Sequence, residues 1–350
     1  MLPHRVWRQT PLNEKNAMKT TRRNFLATTA LTTAGLMLHE TFTSASARAA
    51  EASSPKYKTR LYKALIAGAP TDENCESWKN AGFDGMEITD WKIPVADARK
   101  NRLIAEKHDF YVHSVMRGWA EFNSKDESVV QKTIDETAHA IRIAAAYGAG
   151  AILLVPCRVG GMAMPEPWDF DIDFDPKTLM VKSVAEGDNS QYADYIKIQN
   201  DSTIGTIKAV EQLIPVAAKE GVKIALENVW NNLWCTPKFA AALVRYFDNP
   251  WVKAYFDLGN HTKYSKPQLW IKAFGNTLVK LHIKGYKVTE FRGEKGGGVG
   301  DWCPTDQSST DWKEVRALLD KHNYNGWITV EENTYSPEKY NEILDEFIAG

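Results

Sequence analysis

Four predicted strands in the second half of the chain carry, at or near their ends, a side chain that can bind a metal ion or transfer a proton. Successive side chains of a strand point to opposite faces, so these residues lie opposite the aliphatic residues of their strands. They are Glu227 in KIALE, Asp257 in KAYFD, His282 in KLHI and Glu331 in WITVE. If the aliphatic faces pack against helices, the four side chains converge inside one barrel.

Three carboxylates in one cavity repel each other, and a divalent cation is the usual compensation. One strand-end acid would be an ordinary surface carboxylate, but four ligand-type residues at the same phase are not expected by chance. We therefore expect one divalent cation held by Glu227, Asp257, His282 and Glu331. A donor set of mostly oxygen with one nitrogen suits Mn²⁺, Mg²⁺ or Co²⁺ and can also hold Zn²⁺. Glu332 has the opposite phase, and we expect it to make a surface contact on the helix side.

The rest of the chain supplies the elements that would position these residues. From residue 61 onward, short apolar runs alternate with segments of helical periodicity. The eight strand–helix units predict a single (β/α)₈ TIM barrel. A doubly wound sheet is the alternative, but no Gly-x-Gly-x-x-Gly follows the first strand. We expect the third strand at 110–115 and a helix over 203–220 before the fifth strand.

Two connections are too long to be simple turns, namely 157–202 after the fourth strand and 284–310 after the seventh. Both would lie at the C-terminal face of the barrel, where barrel enzymes carry their active sites. Long ordered loops are more often functional than not. The first could form a lid carrying Trp168 and Phe170, or it could be a dimer contact or an insertion without a role in the site.

Other residues near strand ends could contact a substrate. His113, near the third strand end, could bond a sugar hydroxyl or act as a base, unless it is a satisfied core histidine. Arg158 could bind a substrate oxygen or anchor its loop through an ion pair. Lys284 could bind substrate or be a solvated lysine. An indole ring suits the C–H-rich face of a pyranose, and the candidates, which could equally belong to the core, are Trp119, Trp230 and Trp302.

Several motifs resemble the metal-site strands of the xylose-isomerase-like barrel superfamily, which includes ketose 3-epimerases, inosose dehydratases and hydroxypyruvate isomerases. They are LEN (226–228), FDLGN (256–260), KLHIKG (280–285), GVGDW (298–302) and GWITVEE (326–332). AGFDGMEI (81–88) is similar to the second strand of that group, with Glu87 at its usual acidic position, where we expect it to contact substrate. The resemblance covers roughly residues 58–348.

The resemblance implies that Glu227 and Glu331, besides binding the cation, act as an acid–base pair on the two faces of a substrate carbon. The metal would polarise a carbonyl and hold the resulting enediolate, while the carboxylates remove and return the proton. This chain departs from the family at three places. Asn260, followed by His261, stands where several members carry a substrate-contacting His; Val299 stands where relatives often carry Glu; and no Arg follows His282 at the epimerase spacing. The reaction therefore stays open.

The N-terminal segment resembles a twin-arginine export signal. It begins at Met18, with Arg22-Arg23 ahead of an apolar stretch and Ala47 and Ala49 ahead of a cleavage site near Ala50. We predict residues 1–49 as the leader, with 1–17 as an extension upstream of the true start, and 50–350 as the barrel. The protein would be exported folded, to the periplasm or another extracytoplasmic compartment. The alternative is a polar tail followed by a short core helix.

Composition narrows the function. The chain has 350 residues, 43% hydrophobic and 25% charged, with a net charge of −1, so no global field favours nucleic acid. No stretch of the mature chain reaches the ~18 apolar residues of a membrane span. The four cysteines are widely spaced and contain no C-x-x-C pair, so they predict neither a zinc knuckle nor a disulfide framework. Phosphodiester cleavage is not favoured either, because it would need more His and acid ligands than this chain offers, together with a basic face.

We predict a metal-dependent isomerase or epimerase that abstracts a proton next to the carbonyl of a non-phosphorylated sugar or keto-sugar. A lyase or dehydratase acting on a keto-sugar or keto-glycoside would use the same enediolate and is the first alternative. A non-catalytic carbohydrate-binding barrel is the second. A small-molecule sugar is the expected partner in each case. The sequence is compatible with a homo-oligomer and does not identify the sugar or the stereochemistry.

Overall fold

Strands and helices alternate along residues 56–350, the part of the chain that the computed structural model describes; the predicted leader at 1–49 lies outside the described residues. The strands of this part are β1 (Leu61–Ala67), β2 (Gly85–Ile88), β3 (Tyr111–Trp119), β4 (Ala151–Val155), β5 (Asp173–Phe174), β6 (Val181–Ser183), β7 (Lys223–Leu226), β8 (Val252–Asp257), β9 (Leu278–Ile283), β10 (Tyr286–Arg292), β11 (Gly297–Trp302) and β12 (Gly326–Val330). The α-helices are α1 (Asp72–Asn80), α2 (Val95–Lys107), α3 (Glu127–Tyr147), α4 (Ala193–Glu220), α5 (Pro237–Tyr246), α6 (Leu258–Thr262), α7 (Pro267–Phe274), α8 (Trp312–Lys321) and α9 (Pro337–Ala349).

Eight of these strands close into one parallel barrel in the order β1-β12-β9-β8-β7-β4-β3-β2. Helices separate consecutive barrel strands, so the predicted (β/α)₈ TIM barrel is confirmed. The remaining strands pair as two hairpins, β5 with β6 and β10 with β11. The hairpins lie in the long connections 157–202 and 284–310, which follow the carboxyl ends of β4 and β9. Both hairpins therefore belong to the face where barrels carry their active sites.

Two apolar clusters show which way the barrel strands face. The larger cluster lies between the strands and the helices, and its strand residues include Ile224, Leu226, Phe256, Leu281, Ile283, Ile328 and Val330. The smaller cluster fills the inside of the barrel and comprises Ala151, Leu153, Val155, Ala225 and Tyr255. The predicted phases of the late strands are therefore confirmed. The period of two leaves the polar end residues on the inward face.

Two elements are longer than predicted, because buried polar side chains interrupt their apolar pattern. Helix α4 begins at Ala193 rather than 203. Its added turns bury Gln199, whose Oε1 accepts from the backbone N–H of Trp234. Strand β3 continues to Trp119 rather than ending at 115, past the buried Arg117, whose Nε donates to Thr137. No helix among residues 56–350 is both long and apolar enough to cross a membrane.

Candidate metal centre

Three predicted ligands meet at the carboxyl ends of adjacent barrel strands. Glu227 follows β7, Asp257 ends β8 and His282 lies near the end of β9. Asp257 pairs with His282 in the register of β8 and β9, which places the two side chains at the same height in the barrel. One donor atom from each of the three residues lies within 4.8 Å of the other two, and all three side chains are buried. The predicted convergence is therefore present in the structure.

The fourth predicted ligand, Glu331, joins the cluster from β12. Its Oε2 lies 3.3 Å from Nδ1 of His282, and Oδ2 of Asp257 lies 4.0 Å from the same nitrogen. The Glu331 side chain is 28% exposed, whereas that of His282 is 1% exposed. Glu331 is thus the member of the set that faces the opening of the barrel. Lys284 lies beside it, with Nζ 3.5 Å from Oε2.

Unpaired polar atoms inside the cluster fit a bound cation. Among the described residues, Oδ2 of Asp257 and Nδ1 of His282 are buried without a hydrogen-bond partner. Buried polar atoms are nearly always paired, because leaving one unpaired costs its full desolvation energy. The Nε2 of His282 is already held by Glu87 at 2.6 Å, so Nδ1 is the nitrogen that would bind a metal. The donors that fit a divalent cation are thus this nitrogen and the oxygens of Glu227, Asp257 and Glu331.

The electrostatics of the cluster are those of crowded carboxylates in a set whose members Glu227, Asp257 and His282 are buried. Burial raises the pKa of Glu227 to about 8, and the negative charge of Glu331 acts in the same direction. Burial also raises the pKa of Asp257 well above its usual value, again with Glu331 adding to the effect. The pKa of His282 is raised although burial opposes this, since Glu87 and Glu331 favour the imidazolium. A divalent cation would supply the positive charge that the cluster otherwise obtains from protons.

Glu87, which the sequence suggested as a substrate contact, lies beneath the cluster and is fully buried. Its Oε2 lies 2.6 Å from Nε2 of His282 and accepts a 3.0 Å hydrogen bond from the hydroxyl of Tyr255. A carboxylate bonded to the far nitrogen of a ligating imidazole fixes the ring orientation and its tautomer. The structure thus makes Glu87 a positioning residue for His282 and leaves it no access to a substrate.

The Glu87→Gln variant is expected to bind Mn²⁺ about 10–100-fold more weakly, because the amide no longer stabilises the tautomer and charge of His282. Isothermal titration of the metal-stripped protein measures this affinity. Tyr255→Phe is the matched control: it removes the phenol bond to Glu87 but leaves the carboxylate on His282, so a smaller loss is expected. Equal Mn²⁺ affinity in Glu87→Gln and the unmodified protein would contradict the positioning role.

Asn260 and His261, adjacent in α6, have different surroundings. The backbone N–H of Asn260 donates to Oδ1 of Asp257 at 2.7 Å, and its side-chain amide donates to Oε1 of Glu227 at 3.2 Å. Asn260 therefore orients two of the proposed ligands. His261 is buried on the helix side, where Nδ1 lies 2.7 Å from the backbone oxygen of Asp257 and its ring packs edge-on against Trp270. The structure does not bring His261 to the cavity.

His113 lies inside β3 and not at its end, because the strand continues to Trp119. Its Nδ1 is 3.1 Å from Nζ of Lys280, and its Nε2 is 2.9 Å from the hydroxyl of Thr329. Its ring stacks on Trp327 with centroids 4.5 Å apart. Both ring nitrogens are thus engaged inside the barrel, which favours the core-histidine alternative over substrate contact.

Aromatic and basic side chains line the mouth above the cluster. The indole N–H of Trp230 donates to the backbone oxygen of Asn260 at 2.6 Å, and its ring stacks on Trp302 at 4.9 Å. Lys284 lies over the ring of Trp302 at 4.6 Å, while Arg158 lies over Trp119 at 5.4 Å. Of the substrate-contact candidates, Arg158, Trp230 and Lys284 are therefore at the opening.

Glu332 points away from the cavity, as its phase predicts. Its hydrogen bonds go to the connection 284–310: Oε1 accepts from the N–H and the hydroxyl of Thr305 at 3.0 and 2.7 Å, and Oε2 from the N–H of Gly285 at 3.4 Å. The side chain thereby fixes the end of the connection 284–310. Sequence reasoning did not assign two inward-facing residues, Tyr255, whose hydroxyl donates to Glu87, and Lys280, which contacts His113. Their alternation with Ala254, Phe256 and Leu281 is the signal that could have found them.

Fold and site together define a class, a (β/α)₈ barrel with a carboxylate–histidine cluster at its strand ends. The model of the xylose isomerase-like TIM barrel family matches residues 75–348, and the chain belongs to that family. The resemblance seen in its motifs is thus confirmed at the level of the family.

Solved structures share the fold at low sequence identity. A D-tagatose 3-epimerase-like protein has a TM-score of 0.61 at 14% identity, covering 82% of this chain and 97% of its own. The 3-keto-D-glucoside 4-epimerase of E. coli has a TM-score of 0.57 at 13% identity, with coverages of 82% and 99%. The IolI protein, crystallised with a bound zinc atom, has a TM-score of 0.58 at 14% identity, with coverages of 82% and 96%. At these identities the likeness shows the fold alone. A search of curated proteins finds no significant match.

Proposed function

We propose that this protein is a metal-dependent sugar isomerase or epimerase that abstracts a proton next to a carbonyl. One observation carries the proposal. In the barrel order β12-β9-β8-β7, the strands of Glu331 and Glu227 lie on the two flanks of the strands that carry His282 and Asp257. A carboxylate on each side of a central metal-type pair can remove a proton from one face of a substrate carbon and return one to the other face.

The residues of the site have distinct roles in this proposal: metal binding, positioning and proton transfer. His282 and Asp257 offer the donors for a divalent cation, which when bound would polarise the substrate carbonyl and its neighbouring hydroxyl. Glu87 holds the imidazole, and Asn260 holds Glu227 and Asp257 in place. Burial would raise the pKa of Glu331, but the positive charge of His282 and, more weakly, that of Lys284 beside it lower this pKa and favour the ionised carboxylate. Glu331 is then the candidate base, with Glu227 as its counterpart on the opposite side.

The names of fold neighbours support this reaction class without fixing the substrate. They include two proteins named for sugar epimerisation, one of which acts on a 3-keto-D-glucoside. The departures at Asn260, His261 and Val299 keep simple ketose 3-epimerisation from being assigned. The proposed substrate is a free sugar or keto-sugar without phosphate. Phosphorylated sugars are retained in the cytoplasm, so an exported enzyme would not meet them.

Export in the folded state is part of the proposal and rests on the Arg22-Arg23 motif ahead of an apolar stretch. If this signal operates, changing both arginines to lysine should leave the protein in the cytoplasmic fraction of the producing cells. Cell fractionation with detection by antibody measures this. An unchanged extracytoplasmic amount in the double variant would contradict twin-arginine export.

Product analysis tests the reaction class. The metal-loaded protein is incubated with a panel of free and 3-keto sugars, and the products are followed by NMR. A new epimer or aldose–ketose isomer is the expected outcome. Loss of water or of a glycosidic substituent would move the assignment to the dehydratase or lyase alternative. Saturable binding with no change in any sugar would contradict catalysis and favour the carbohydrate-binding barrel.

A further inference from the structure

Two positively charged side chains lie at the mouth of the barrel without a carboxylate partner among residues 56–350. Arg158 is exposed and packs over the ring of Trp119. Lys263 is half-buried, with Nζ 3.7 Å from the ring centroid of Trp230. Within the described residues, neither side chain makes a hydrogen bond or an ion pair. Attraction to an aromatic face accounts for the packing of each cation but not for placing two cations together.

The two cations belong to one corner of the mouth, next to the metal centre. The connection after β4 is tied to the connection after β7, because the N–H of Val159 donates to the backbone oxygen of Asn231 at 3.1 Å. The side chain of Asn232 returns a 2.9 Å bond to the backbone oxygen of Val159. Arg158 is thereby held beside the segment that carries Trp230, whose indole bonds to the backbone of Asn260.

The two cations flank one segment, because Lys263 lies over Trp230 and Arg158 precedes Val159, which bonds to Asn231 next to Trp230. Burial lowers the pKa of Lys263 to about 8, and the positive charge of Arg158 acts in the same direction. Lys284, the other lysine at the mouth, differs from Lys263 because it has a carboxylate partner, Glu331. A half-buried cation beside a second cation is costly unless an anion joins them. Guanidinium and ammonium groups bind carboxylates through short, charge-assisted hydrogen bonds.

We propose that Arg158 and Lys263 form a subsite for a carboxylate on the substrate, so that the protein acts on acidic sugars such as uronic acids and their keto derivatives. The inference rests on the proposed function, because it places the sugar between this pair and the metal centre. Trp119 and Trp302 are both partly exposed at this mouth, with Arg158 over the ring of Trp119 and Trp230 stacked on that of Trp302.

Calorimetric titration of the Mn²⁺-loaded protein tests the subsite. The probes are D-glucuronate and D-galacturonate, compared with their uncharged amides and with D-glucose and D-galactose. The acids are expected to bind about 10–100-fold more tightly than the amides, as charged hydrogen bonds predict. Arg158→Gln and Lys263→Gln should each remove most of this preference, measured as the ratio of acid to amide affinity. Lys321→Gln, at the exposed end of α8, is the charge-matched control and should keep the preference.

The outcomes separate this inference from the proposed function. Equal binding of acids and amides overturns the subsite, while the conversion of neutral sugars would still test the reaction class. A preference that survives in both Arg158→Gln and Lys263→Gln also overturns it, because the carboxylate would then be bound elsewhere, for instance at the metal. Absence of binding for every sugar would count against both the subsite and the proposed function.

Discussion

The Glu331→Gln variant is expected to incorporate deuterium from D₂O into its substrate about 10²–10⁴-fold more slowly than the unmodified protein, the usual contribution of a positioned general base. The amide keeps the shape of the side chain but cannot accept a carbon-bound proton. Sugar binding should change far less than the exchange rate, because Glu331 is one of several groups at the opening. Proton NMR of the substrate signal over time measures the exchange, and calorimetry measures the binding.

The next residue supplies a matched control. Glu332→Gln makes the same chemical change one position further on, but this side chain faces away from the cavity and holds Thr305. We expect it to retain exchange within several-fold, with its effect limited to the stability of the connection 284–310. If Glu332→Gln abolished exchange while Glu331→Gln preserved it, the assignment of the base would be wrong.

The His282→Gln variant is expected to lose its metal, and with it all measurable exchange. His282 supplies the nitrogen donor of the set, and its Nδ1 lies within 4.0 Å of carboxylate oxygens from both Asp257 and Glu331. The loss of Mn²⁺ affinity should exceed the about 10–100-fold expected for a residue that only supports a ligand. Metal analysis after dialysis and calorimetric titration with Mn²⁺ measure this effect.

His322→Gln is the control for that variant. His322 is the C-cap residue of α8, outside the cluster, so this substitution should leave metal content and exchange unchanged. Full metal occupancy in His282→Gln would show that the cation is bound elsewhere and would remove the basis of the proposed centre.

The proposed ligands could be predicted from the sequence because their position depends on two local rules. Alternation within a strand decides which side chains point inward, and parallel strands end at the same face. The structure then pairs Asp257 with His282 in the register of β8 and β9. Strand phase alone also predicted that Glu331 faces the inside of the barrel and that Glu332 faces outward.

The partners of inward-facing residues could not be predicted, because they depend on contacts between distant parts of the chain. Glu87 bonds to His282, 195 positions later, and His113 contacts Lys280, 167 positions later. A linear pattern shows that such residues face the interior but not which of them meet. Where a chain leaves a strand, phase no longer applies: in the short helix α6, one step of sequence separates Asn260 at the cluster from His261 on the helix side.

The central claim, proton abstraction that depends on the metal centre, is tested most directly by comparing deuterium exchange before and after metal removal. The same preparation is assayed in D₂O with the best-binding sugar of the panel, first loaded with Mn²⁺, then stripped by a chelator, then reloaded. We expect a carbon-bound proton signal to disappear with the loaded protein, to persist with the stripped protein and to disappear again after reloading. Exchange that continues unchanged in the stripped protein, or a sugar that binds the loaded protein without any exchange, would contradict the claim.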